Sequence, residues 1–121
     1  MLLVTSNTAK QLLLLSYIGR VLPEEVQRAR ADSDQLLAGL LPGFRILVDF
    51  ERIESMDIAC AAEIGRLMEI VDQKTIGLLV RAIPDASKDI GLDILTLFHY
   101  RHPPPTITCK TMEEAAEKLS L

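Results

Sequence analysis

The chain has 121 residues, enough for one domain (1–121) and too few for two independent cores. Hydrophobic residues make up 49% and charged residues 25%, which sets global disorder aside; with aromatics at 4% and no Trp, the core must be aliphatic. A net charge of −4 leaves no basic excess to neutralise phosphates, so a dedicated nucleic-acid binder is not expected.

Leu2 to Thr5 is a short β-type run, Ser6-Asn7-Thr8 is turn chemistry, and Leu12 to Ile18 reads as a buried strand bounded by Gly19. The two runs lie close enough to pair antiparallel. Pro23 then opens a helix, because a first helical position does not need the N–H that proline lacks. Glu24 and Glu25 suit the positive end of its dipole. Val26, Ala29, Ser33, Leu36, Leu37 and Leu40 recur at helical spacing, and Pro42-Gly43 stops the element.

Arg45 to Phe50 predicts a strand, Glu51 to Met56 a loop, and Asp57 to Asp72 a second helix with Ile58, Ala61, Ile64, Leu67, Met68 and Val71 in helical phase. Thr75 to Ala82 predicts another strand, Ala86 to Phe98 a third helix, and Thr106 to Cys109 a short strand. Thr111-Met112-Glu113-Glu114 is a capping box opening a last helix. Three strand–helix–strand units in a row imply a mostly parallel sheet with right-handed crossovers.

No apolar run, Leu12 to Leu15 included, approaches the roughly 20 residues a membrane-spanning helix needs. The N-terminal residues carry no secretory pattern. Cys60 and Cys109 form no CxxC pair and read as buried thiols in a reducing compartment. The expectation is a cytoplasmic protein with no membrane insertion.

Catalytic constellations are scarce. There is no Walker A loop, no GxGxxG and no nucleophile elbow. His99 and His102 share a helical face, but Pro103 breaks the helix there and no Cys or carboxylate stands beside them, so they read as solvated or capping histidines. Cys60 sits where a helix dipole lowers a thiol pKa, yet among alanines it reads as a packing residue. Asp49 at a strand end, with Lys110 after the last strand, suggests a phospho-accepting receiver; the acidic pair that holds magnesium in receivers is replaced by Ser6-Asn7-Thr8. The segment Glu51 to Asp57 is the most informative, because open α/β sheets present functional loops between a strand's C-terminal end and the next helix. Its plain alternative is that Ser55 or Asp57 is only an N-cap.

Ile46 to Leu67 (ILVDFERIESMDIACAAEIGRL) resembles the central block of STAS domains, the anti-sigma-factor antagonist family. Asp49 matches the family's strand aspartate, Met56-Asp57 its apolar–Asp step, Gly19-Arg20-Val21 its Gly-Arg-Leu, and Thr111 to Leu119 its closing helix. The resemblance covers essentially the whole chain. It implies an α/β fold with a mixed, mostly parallel sheet of four or five strands and helices mainly on one side. It also implies a cytoplasmic bacterial signalling module, without cofactor, metal or catalytic residues, that controls transcription by binding an anti-sigma factor or kinase-like regulator. In the family a serine after the Asp is phosphorylated to block that binding. Here Asp-Ser-Ser-Gly reads Asp57-Ile58-Ala59-Cys60, so the phosphoacceptor position is Ile58, which has no hydroxyl.

The leading expectation is therefore a non-enzymatic interaction module without the serine phospho-switch. Its partner surface is Ser55, Met56, Asp57, Ile58, Ala59 and Cys60, with Asp57 capping the helix. Whether Ile58 points outward or into the core stays open, as does a homodimer. The alternatives are a small-ligand or nucleotide-sensing module, for example on a transport system, and a cryptic enzyme in which His99, His102 or Cys60 converge.

Overall fold

A computed structural model describes residues 1–83 and 103–121. Strands β1 (Leu2–Asn7) and β2 (Leu12–Val21) are followed by helix α1 (Pro23–Leu37), strand β3 (Phe44–Met56) and helix α2 (Cys60–Asp72). Strand β4 (Ile76–Ala82), strand β5 (Thr106–Cys109) and helix α3 (Met112–Lys118) complete the described elements. The expected third helix at 86–98, and with it His99 and His102, lies outside the described residues.

The sheet runs in the order β1-β2-β3-β4-β5, with β1 antiparallel to β2 and every other neighbouring pair parallel. This is the mixed, mostly parallel α/β sheet expected. Side chains alternate between the faces of a strand. Leu13, Leu15 and Tyr17 of β2 and Ile46 and Val48 of β3 therefore meet α1 and α2 on one face. Leu12 of β2, Leu47 of β3 and Val80 of β4 meet Ala115 and Leu119, in and just after α3, on the other. Both faces of the central strands are covered, which is why β2 reads as an unbroken apolar run rather than an alternating one. Val26, Ala29, Ser33 and Leu37 form the buried stripe of α1, and Ile64, Leu67, Met68 and Val71 that of α2.

One expectation is corrected. Residues 51–56 are not a loop: β3 continues through Met56, and its last residues pair with Ile18 to Val21 of β2. Two register slips explain the misreading. Between the pairs Ser16↔Asp49 and Ile18↔Arg52, and again between Gly19↔Ile53 and Arg20↔Ser55, β3 carries one residue more than β2. Each bulge breaks the period-2 pattern from which a strand is read. Gly19, at the second slip, has φ +62°, a conformation that costs glycine little and other residues more. Pairing of β3 with β4 stops at Asp49↔Ala82, so the ends of β2 and β3 run beyond β4 as a two-stranded extension.

Candidate functional site

The extension delivers the chain to the junction between β3 and α2. Two donors meet there on one carbonyl: Asp57 N–H donates to Val21 O at 3.2 Å, and the Cys60 thiol donates to the same oxygen at 3.3 Å. Val21 ends β2, and Pro23 begins α1 two residues later. The entry of α2 and the entry of α1 are thus held together.

Between Asp57 and Cys60 the chain makes a tight turn. Asp57 Oδ1 accepts from Ala59 N at 2.9 Å, Asp57 O accepts from Cys60 N at 2.9 Å, and Ile58 O accepts from Ala61 N at 3.1 Å. Asp57 therefore shapes the turn rather than capping the helix, a correction to its expected role. The N-cap position is Ala59, in helical conformation with no side-chain cap. Ile58 is carried to the outside and is 91% exposed, which resolves its orientation.

The six expected surface residues divide. Asp57, Ile58 and Ala59 share the surface of the turn. Ser55 is exposed but belongs to β3, opposite Arg20 of β2. Met56 packs partly against the core. Cys60 is fully buried, so it supports the turn from beneath. Burial, reinforced by the Asp57 carboxylate, pushes the Cys60 thiol above its ordinary pKa. It is held protonated at neutral pH, the opposite of an activated nucleophile.

The sequence reading missed Glu63. This buried carboxylate of α2 accepts from Arg66 at 2.6 Å, Gln27 of α1 at 3.3 Å and Arg30 of α1 at 3.5 Å. It ties the first turns of α2 to α1. The Glu63–Arg66 spacing was visible in the sequence, but its partners from α1 appear only once the helices pack.

The receiver reading is excluded by topology, since receivers place strands in the order 2-1-3-4-5. Asp49 is occupied locally, its Oδ1 accepting from Glu51 N at 2.9 Å. Among the described residues no group of three His, Cys, Asp or Glu is placed to hold a metal, and no helix is long and apolar enough to cross a membrane. A concavity beneath α2 has Tyr17, Ile46, Leu67 and Met68 in its wall, with Arg81 and Thr106 as polar members among the described residues.

No family model and no curated protein matches the chain. Solved structures do. A protein of the DUF3478 family with a SpoIIAA-like fold, from Shewanella loihica PV-4, superposes with a TM-score of 0.71 at 13% identity, covering 98% of this chain and 92% of that one. The anti-sigma factor antagonist SpoIIAA in its unphosphorylated form gives 0.63 at 18% identity, covering 99% and 98%. An anti-sigma factor antagonist from Mycobacterium paratuberculosis gives 0.52 at 13%, covering 100% and 94%. The fold is SpoIIAA-like, as the sequence resemblance implied.

Proposed function

We propose that residues 1–121 act as one non-enzymatic interaction domain, which docks on a regulatory protein through the β3–α2 turn and does so without a serine phospho-switch. The observation that carries this reading is Ile58. A 91% exposed isoleucine on a turn held by five hydrogen bonds is an apolar knob that none of the described residues covers. It occupies the position where the resembling family carries its phosphoacceptor. The SpoIIAA structures, one unphosphorylated and one phosphorylated, belong to an anti-sigma factor antagonist, and that likeness supports an anti-sigma or kinase-like partner here. Free thiols at Cys60 and Cys109 fit a cytoplasmic setting.

The reaction at this surface is association alone. Ile58 offers apolar area, Asp57 holds the turn that presents it, and Cys60 and Val21 fix the turn to the sheet. A phosphate would have no oxygen to join at residues 58–60.

The small-ligand alternative draws on the concavity beneath α2. Its apolar wall suits an apolar ligand better than a nucleotide, which needs a cradle of backbone N–H groups.

The test is co-purification with a purified kinase-like anti-sigma factor. Wild type is expected to be retained and Ile58→Glu released, with both equally folded by circular dichroism. Equal retention of the two proteins, or retention of neither, overturns the proposal.

A further inference from the structure

No further inference is drawn: the strongest candidate, the apolar concavity beneath α2, reaches β4 at Leu79 and β5 at Thr106, the two strands that residues 84–102 connect, and nothing among the described residues shows what covers it.

Discussion

Two strand-to-helix junctions in this chain solve the same problem in opposite ways. At the β5–α3 junction, Thr111 accepts from Glu114 N at 3.1 Å and Glu114 accepts from Lys110 N at 3.0 Å. Glu51, reaching across from β3, accepts from Met112 N at 2.8 Å. Side chains satisfy the helix start from three directions. At the β3–α2 junction no side chain caps the helix, the first-turn N–H groups are returned to main-chain carbonyls, and an isoleucine is left in water. The first junction is arranged for folding. The second gives up a cap and exposes an apolar side chain, a local cost of the kind expected at the docking surface proposed above.

The comparison can be broken most directly with two isoleucines six residues apart. Ile64→Ala, at a side chain 2% exposed beneath α2, is expected to cost about 2–5 kcal/mol in urea unfolding. Ile58→Ala is expected to stay within about 0.5 kcal/mol of wild type. If Ile58→Ala costs as much as Ile64→Ala, Ile58 is a packing residue and the contrast between the junctions fails.

Next in size is the cap. Thr111→Ala should lower stability by about 1 kcal/mol, and Thr111→Ser should restore most of it. Asp57→Ala, which removes one bond to Ala59 N, should cost about 0.5–1 kcal/mol and raise hydrogen exchange at Ala59 and Cys60 more than elsewhere. A larger loss from Asp57→Ala than from Thr111→Ala would reverse the assignment of which junction is built for folding.

The smallest effect is on pH. Burial raises the pKa of both Cys60 and Cys109 in the folded chain, so the folded state keeps its protons where the unfolded state loses them. Stability from these groups is complete below the unfolded thiol value of about 8.5 and declines as pH rises above it. The urea midpoint should fall in that alkaline range, less steeply in Cys60→Ala. A midpoint that rises there contradicts buried, protonated thiols.

Elements whose cause is local were legible before any fold was known. Pro23 with Glu24 and Glu25 announced α1, the apolar run from Leu12 announced β2, and Thr111 with Glu114 announced α3, because each signal lies within a few residues of what it controls. The order of these elements, with the matching motifs, was enough for a SpoIIAA-like sheet. The second half of β3 was not legible. Its strand character comes from pairing with Ile18 to Val21 of β2, more than thirty residues earlier, and its bulges erase the alternation.

The candidate site divides along the same line. That position 58 lacks a hydroxyl is a property of the sequence alone. That Ile58 faces water while Cys60, two residues on, is sealed against Val21 was decided only in three dimensions. One carbonyl at the end of β2 receives both the Asp57 N–H and the Cys60 thiol, and that long-range pair of bonds sets the rotation of the turn. Composition and periodicity specify what each segment prefers; the direction a turn residue points is set by whatever distant backbone the turn is tied to.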